Sequence, residues 1–147
     1  FAPGPTAITP HVLRPLLNET GLPVAAVGTG AGWLIHQWSL TSPDEAVRRQ
    51  AIDFIRSMID FGATYGAPAI LGSMQGRHGG TVTPIQARDW LRSALDELGT
   101  AAAARGVPFI YEPLNRYETN LVNTLADGVA LLKSLSTDSV RLLADLY

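Results

Sequence analysis

The chain has 147 residues, of which 46% are hydrophobic and 16% are charged, a composition typical of a globular domain and unlike that of a disordered segment. Eleven Lys and Arg residues are spread along the sequence against 13 Asp and Glu, so the net charge of −2 disfavours binding to nucleic acid or to an anionic membrane through bulk charge. The absence of cysteine excludes disulfide scaffolds, thiolate zinc sites and cysteine nucleophiles.

The ends of the sequence indicate a piece of a longer domain. It begins with Phe1, and its first residues have neither the basic start nor the apolar run of a signal peptide. No apolar stretch reaches the roughly 18 to 20 residues that a membrane span needs, and a strand-like run stops at Tyr147 with no turn after it. We therefore expect residues 1–147 to form a single incomplete domain, truncated at both ends, of a cytoplasmic protein.

Three Gly-x-Pro junctions, which begin at Gly21, Gly66 and Gly106, divide the chain into repeating units. Gly suits the left-handed position that ends a helix, and a Pro just beyond it prevents the helix from continuing. An apolar run follows each junction, and a further apolar run lies near the end of the chain; their residues are apolar at consecutive positions, as in strands buried on both faces. These runs predict four strands, at residues 23–28, 68–72, 108–113 and 140–146.

Helix starts are marked by Pro together with capping residues. Thr9-Pro10 is one such start, while Ser42-Pro43-Asp44-Glu45 and Thr83-Pro84-Ile85-Gln86 have the pattern of a capping box with Pro at the first helical position. Apolar residues at helical spacing predict the buried faces of three helices: Val47, Ala51, Ile55, Met58 and Ile59; Ala87, Leu91, Leu95, Leu98 and Ala102; and Leu125, Val129 and Leu132.

Strands that alternate with helices predict an α/β fold. The predicted strands start at positions 23, 68, 108 and 140, which leaves 45, 40 and 32 residues for each strand, loop and helix. Such a series gives about four consecutive parallel strands with right-handed crossovers. The sheet is either an open doubly wound one or a partial (β/α)8 TIM barrel, since a whole barrel needs about 250 residues.

A glycine-rich segment, residues 28–32, follows the first predicted strand. Glycines there would let backbone amides approach a dinucleotide pyrophosphate. A phosphate-binding loop opens directly into a helix, however, and residues 33–40 are expected to intervene before the helix start at Ser42. We therefore favour a loop that floors a small-molecule pocket.

Two carboxylates follow predicted strands at nearly the same depth, Glu112 after the third strand and Asp145 at the end of the fourth. Neighbouring strands lie roughly 4.8 Å apart and present their carboxyl ends at one edge, so these side chains can converge on one cation. Oxygen ligands favour Mg or Mn, and added imidazole would admit Zn or Co. The alternative is that each carboxylate caps the following helix or pairs with Arg116 or Arg141.

A longer motif surrounds these carboxylates. Glu112 begins a Glu-x-x-Asn-Arg-x-Glu sequence that ends at Glu118, and Asp145 follows 33 residues after the first Glu. A second segment, Ile70-Leu71-Gly72-Ser73-Met74-Gln75-Gly76-Arg77, precedes it. From about residue 23 to residue 147, this pattern resembles the sugar isomerase and epimerase family of xylose-isomerase-like TIM barrels, in particular ketose 3-epimerases of the tagatose and psicose type.

The resemblance implies a role for each residue of the motif. Glu112 would be a metal ligand and one of two acid/base carboxylates, and Asp145 would be a second metal ligand. Glu118 would bind substrate hydroxyls near the reacting carbons, and Asn115 is a further candidate for substrate binding. The remaining His and Glu ligands of the family would lie on later strands, after residue 147.

Other candidate substrate contacts lie outside the motif. Arg77 would bind a phosphate if the substrate is a sugar phosphate, and is otherwise a solvated loop cation. Trp33, together with Trp38 and His36, would form a wall of the sugar pocket, and the alternative for each is a purely structural role.

The resemblance predicts a divalent-metal-dependent isomerase or epimerase of a sugar or sugar phosphate, with Mn or Mg as the metal and an enediolate intermediate. Return of the proton to the opposite face would give a ketose 3-epimerase, and return to the neighbouring carbon an aldose-ketose isomerase. The alternatives are an abasic-site endonuclease-like metal hydrolase of the same superfamily and a noncatalytic sugar-binding relative. We expect no nucleic-acid or membrane partner, we include a homo-oligomer among the forms of the full-length protein, and we expect residues 1–147 alone to be inactive.

Overall fold

The computed structural model describes residues 4–145 and has the predicted α/β fold. A single parallel sheet has the order β1-β2-β3-β4. Its strands are β1 (Val27–Gly28), β2 (Ala69–Leu71), β3 (Phe109–Tyr111) and β4 (Val140–Leu142). The helices are α1 (Pro10–Thr20), α2 (Ala31–His36), α3 (Glu45–Ala63), α4 (Pro84–Ala104) and α5 (Leu125–Lys133). Strands that are consecutive in the chain are neighbours in the sheet, as they are in a (β/α)8 barrel.

The strands are shorter than the predicted apolar runs. Val27 of β1 pairs with Ala69, where β2 begins, so residues 23–26 have no neighbouring strand of the described sheet beside them. After β4 one more ladder bond forms, in which the Leu143 amide donates to the Tyr111 carbonyl at 2.9 Å. The predicted strand over 140–146 therefore ends at Leu142, and its last residue lies outside the described part of the chain.

The three glycine junctions are confirmed. Gly21, Gly66 and Gly106 have φ angles of 67°, 67° and 72°, the left-handed conformation that ends a helix. The capping box at Thr83 is also confirmed, because the Thr83 hydroxyl accepts from the Gln86 amide at 3.2 Å while the Gln86 side chain accepts from the Thr83 amide at 3.0 Å. Helix α1 begins at Pro10 as predicted, although the Thr9 side chain does not cap it.

The predicted capping box at Ser42 is wrong. Helix α3 begins at Glu45, and its N-cap is Asp44, whose carboxylate accepts from the Ala46 amide at 2.8 Å. The Ser42 hydroxyl instead accepts from the Asp44 amide at 3.2 Å, so Ser42 and Pro43 form a turn that precedes the cap. The extended backbone of Asp44, with φ −81° and ψ 119°, places the start two residues later than predicted.

The core lies between the sheet and helices α3 and α4. All five predicted residues of α4 are buried, as are Ala51, Ile55, Met58 and Ile59 of α3, while Val47 is only half-buried. The prediction for α5 is wrong for Leu125 and Val129, which are 46% and 44% exposed, whereas Leu132 is half-buried against the core as predicted. The residue that α5 buries fully is Gly128. A Cβ on Gly128 would lie 3.0 Å from Leu142 and 3.1 Å from Pro113, so α5 approaches the sheet through its glycine.

Within residues 4–145, no helix combines the length and the apolar character needed to cross a membrane.

Gly62 allows α3 to approach the start of β2, and replacing it with Ala is expected to destabilise the fold. A Cβ there would lie 2.6 Å from the Ala67 carbonyl oxygen, which is backbone and cannot move aside easily. Although Ala is the better helix former, overpacking should lower the free energy of unfolding by about 1 to 3 kcal/mol. Urea denaturation measures this, with the exposed α3 variant Gln50→Ala as a control that should change little. A Gly62→Ala variant as stable as the parent protein would contradict the close approach.

Candidate active site

The carboxyl ends of the strands open onto a cavity of about 570 Å³, here called the carboxylate cavity. Four of the predicted site residues line it together: Glu112, Asn115, Glu118 and Asp145. Its floor includes Gly28 and Gly72, which follow or end neighbouring strands. This is the end of a parallel α/β sheet at which ligands bind, because the loops there carry side chains without disturbing the strands.

Glu112 follows β3 directly and is held by its backbone. Its amide donates to the Leu71 carbonyl at 3.0 Å, and its carbonyl accepts from the Gln75 side chain at 3.1 Å. Its carboxylate lies above Gly72, where an added Cβ would come within 3.0 Å of Oε2. Among the ion pairs of residues 4–145, none joins Glu112 to Arg116 or Arg141, so the expected alternative of a structural pair does not apply to this carboxylate.

The electrostatics around Glu112 suit a cation. Burial raises the pKa of its carboxyl, and the negative charges of Asp145 and Glu118 raise that pKa further. Such a concentration of carboxylate oxygens is relieved when a hard divalent ion binds, and Mg and Mn prefer these donors. The described residues contain no group of three or more His, Cys, Asp or Glu that could hold a metal by themselves. Glu112 and Asp145 fit part of a metal shell, and the other ligands would have to come from elsewhere.

A tight turn after Glu112 positions Glu118. The Asn115 carbonyl accepts from the Glu118 and Thr119 amides at 3.1 and 3.2 Å, and the Asn115 side chain accepts from the Tyr117 amide at 2.9 Å. The Asn115 amide group also donates to the Glu118 carboxylate. Asn115 therefore holds both the turn and the carboxylate of Glu118, and its predicted contact with substrate stays a prediction.

Gln75 is a site residue to which the sequence analysis gave no role. It is fully buried, accepts from the Tyr111 hydroxyl at 2.6 Å, and donates to the carbonyls of Gly72 at 3.2 Å and Glu112 at 3.1 Å. Burial raises the pKa of Tyr111, so this hydroxyl stays protonated and remains a donor. The signal that could have identified Gln75 is an amide residue between the apolar Met74 and Gly76, four residues after the end of a buried strand.

Arg77 and Trp33 do not line the carboxylate cavity. They lie in an adjoining cavity of about 360 Å³, here called the Arg77 cavity, which Glu118 and Ser73 also line. Trp38 stacks on His36 with ring centres 4.2 Å apart and meets Phe54 edge-on at 5.8 Å. The structural role considered for Trp38 and His36 therefore describes them better than a place in the sugar pocket.

The glycine-rich segment after β1 also differs from its prediction. Helix α2 begins at Ala31, directly after Gly30, whereas no helix was predicted between the glycine-rich segment and Ser42. The helix has only six residues and ends at His36. It is therefore too short for its N-terminus to bind a dinucleotide pyrophosphate through the helix dipole. Gly28, Thr29 and Gly30 instead line the carboxylate cavity, as expected for a loop that floors a small-molecule pocket.

Comparison with known proteins agrees with this geometry. Residues 2–147 match the family model described as Xylose isomerase-like TIM barrel. The chain belongs to the xylose isomerase-like TIM barrel family. This confirms the resemblance inferred from the Glu-x-x-Asn-Arg-x-Glu motif.

Similar members of this family include sugar epimerases. The chain is 28% identical over 110 residues to an L-ribulose 3-epimerase of Mesorhizobium japonicum, which covers 74% of this chain and 37% of that protein. It is 30% identical over 113 residues to a D-psicose 3-epimerase of Ruminiclostridium cellulolyticum, covering 74% of this chain and 39% of that protein. The chain thus spans well under two thirds of the length of the curated relatives that it matches.

Solved structures of the family share the fold. A D-allulose 3-epimerase of Methylomonas sp. in complex with D-allulose superposes with a TM-score of 0.76 at 26% identity, covering 94% of this chain and 47% of that one. A xylose isomerase-like TIM barrel protein of Mycobacterium smegmatis in complex with magnesium superposes with a TM-score of 0.62 at 21% identity, over 92% of this chain and 45% of that one. The four strands thus correspond to about half of such a barrel.

The proximity of Gly72 to Glu112 makes Gly72→Ala a test of how precisely this family member positions its carboxylate. The flexible carboxylate would have to shift by a few tenths of an ångström, so we expect little loss of stability and, for the ketose turnover that is proposed below, a kcat of the full-length protein about tenfold lower. Gly28→Ala is the matched control, because it lines the same cavity and its added Cβ meets no atom within 4 Å. Equal activity of the two variants, measured with a ketose substrate, would show that turnover does not depend on so precise a position of the Glu112 carboxylate.

Proposed function

We propose that the full-length protein containing this chain is a divalent-metal-dependent epimerase or isomerase of sugars, of the ketose 3-epimerase type. The observation that supports this most is the meeting of Glu112, Glu118 and Asp145 at one cavity, with the pKa of Glu112 raised. Similarity to L-ribulose and D-psicose 3-epimerases supports the same class of substrate. A cytoplasmic location and a homo-oligomeric state are further predictions for the full-length protein.

Glu112 and Asp145 would hold the metal, with Mn or Mg as the proposed ion. When bound, a divalent ion would polarise the ketose carbonyl and the hydroxyl on the neighbouring carbon, which acidifies the proton on the carbon that bears this hydroxyl. Burial and the charges of Asp145 and Glu118 raise the pKa of the Glu112 carboxyl, which makes its carboxylate a stronger base for taking a proton. In this proposal the carboxylate of Glu112 takes the proton from that carbon, and the resulting substrate anion is an enediolate.

Glu118 would fix the orientation of the sugar. Its carboxylate is oriented by Asn115, and the residue lines the carboxylate cavity, where it can accept hydrogen bonds from substrate hydroxyls. A second acid/base group, which the family resemblance places after residue 147, would return the proton on the opposite face. Removal of a proton from C1 and its return to C2 would instead give an aldose.

Exchange with solvent deuterium tests this function. The full-length protein, loaded with Mn, is incubated in D2O with D-psicose (D-allulose) or L-ribulose, and the products are followed by NMR. We expect deuterium at C3 together with the 3-epimer, and we expect EDTA to abolish the exchange and Mn to restore it. Deuterium at C1 would instead support the isomerase form of the proposal. Absence of exchange at any carbon would overturn the proposal, and cleavage of abasic DNA by the same preparation would favour the hydrolase alternative.

A further inference from the structure

The Arg77 cavity adjoins the carboxylate cavity at the same end of the sheet. Its walls come from the segment after β1, with Trp33, Gln37 and Ser42, and from the segment after β2, with Arg77 and His78. Ser73 and Glu118 line both cavities. A ligand that lies against Glu118 in the carboxylate cavity could therefore extend into the Arg77 cavity.

The wall that carries Arg77 is fixed by hydrogen bonds on both sides of it. The Thr41 hydroxyl lies 3.2 Å from the Gln75 carbonyl and 3.0 Å from the Arg77 carbonyl, and the buried Thr119 hydroxyl donates to the Gly76 carbonyl at 2.8 Å. The Asn120 side chain binds both backbone groups of His78, at 2.9 and 3.0 Å. The cavity is thus preformed, which reduces the entropy cost of binding a ligand there.

The guanidinium of Arg77 has most of its donors available. It donates to the Tyr117 carbonyl at 3.2 Å, and no ion pair of the described residues includes it. By contrast, Arg49 and Arg56 both pair with Glu97, and Arg105 pairs with Asp60. Arg77 therefore differs from cations that only join helices, and it points to a partner with hydrogen-bond acceptors.

The remaining groups of the cavity decide between an anion and a neutral polyol. Glu118 contributes a carboxylate, so the cavity contains one positive and one negative charge. A phosphate would be attracted by the positive charge of Arg77 but repelled by the negative charge of Glu118. Vicinal hydroxyls can both accept from Arg77 and donate to Glu118 or to the side-chain oxygen of Gln37, while Trp33 offers an apolar ring edge or face. These groups favour a sugar ring over a phosphate.

We propose that the Arg77 cavity is a subsite for a second sugar ring, so that the protein acts on a keto-sugar carrying a glycosyl substituent. The reacting ring would occupy the carboxylate cavity, and the substituent would lie between Trp33 and Arg77. This inference rests on the proposed function, because it extends the substrate of that site. The substituent makes its contacts away from the reacting carbons, so its binding should act mainly through KM.

Three substrates with the same reacting ketose test the proposal on the full-length protein: D-fructose, isomaltulose and D-fructose 6-phosphate. Isomaltulose carries a glucosyl group where the phosphate ester carries phosphate. We expect kcat/KM for isomaltulose to exceed that for fructose by about tenfold, and Arg77→Ala to reduce this preference about tenfold. Arg14→Ala, at an exposed position of α1, is the charge-matched control and should leave the preference intact. Equal kcat/KM values for fructose and isomaltulose, or a preference for the phosphate ester that Arg77→Ala removes, would overturn the proposal.

A binding measurement separates this proposal from the proposed function. The indole N–H signal of Trp33 is followed by NMR while isomaltulose or fructose is added, and this readout needs no turnover. A shift that saturates at lower isomaltulose than fructose concentration would support the subsite even if no ketose reacts. Indistinguishable titrations with the two sugars would overturn it even if the protein epimerises fructose.

Discussion

Replacing Glu112 with Gln is expected to lower ketose turnover by the full-length protein about a thousandfold, the typical contribution of a positioned acid/base group. The backbone bonds of this residue to Leu71 and Gln75 do not involve the side chain, so the variant should fold normally. Gln has nearly the same shape as Glu but cannot take a proton and is a weaker ligand for a hard cation. The loss should therefore appear in kcat, measured by C3 deuterium exchange, and in a weaker apparent affinity for Mn.

Two further variants make this result specific. Asp145→Asn should weaken Mn affinity and lower turnover, since a second carboxylate of the same cavity is removed. Asp89→Asn, at an exposed position of α4, removes the same charge far from the carboxylate cavity and should change neither quantity. If Glu112→Gln kept more than about a tenth of the activity, Glu112 would not be the acid/base group.

The meeting of Glu112 and Asp145 could be predicted because it follows from topology. Parallel strands that are consecutive in the chain become neighbours in the sheet, and residues just after them then face the same cavity. The glycine junctions and the Thr83 capping box could also be predicted, because a few adjacent residues determine the local backbone there. Predictions of this kind depend on short-range chemistry and on one rule of chain connection.

Other features depend on contacts that no local pattern encodes. The side chains of α5 are apolar at helical spacing, yet Gly128 rather than Leu125 or Val129 is the buried position, because β4 and Pro113 approach the helix closely there. Arg77 and Trp33 were predicted as substrate contacts with no stated position relative to the carboxylates, and they line the adjoining cavity because the segments that carry them pack together through Thr41. Such distances between distant segments are set by packing.

The role of Gln75 is also a matter of packing, and it leads to the largest expected effect on stability. Replacing Gln75 with Leu keeps the volume but removes the acceptor of the Tyr111 hydroxyl and the donor to the Glu112 carbonyl. Both groups would be left buried without these partners, so we expect the free energy of unfolding to fall by about 2 to 4 kcal/mol. Urea denaturation of the full-length protein measures the change.

A double-mutant cycle identifies the cause of that loss. Tyr111→Phe removes only the hydroxyl, leaves the Gln75 side-chain oxygen without its donor, and should cost about 1 to 2 kcal/mol. In the double variant Gln75→Leu/Tyr111→Phe, neither side of the 2.6 Å hydrogen bond is left without a partner, so the total loss should be smaller than the sum of the single losses by about 1 to 2 kcal/mol. Additive losses would mean that Gln75 stabilises the fold through its bonds to the Gly72 and Glu112 carbonyls and not through its bond with Tyr111. Coupled losses would mean that the buried hydrogen bond between Tyr111 and Gln75 stabilises the fold by joining β3 to the segment after β2.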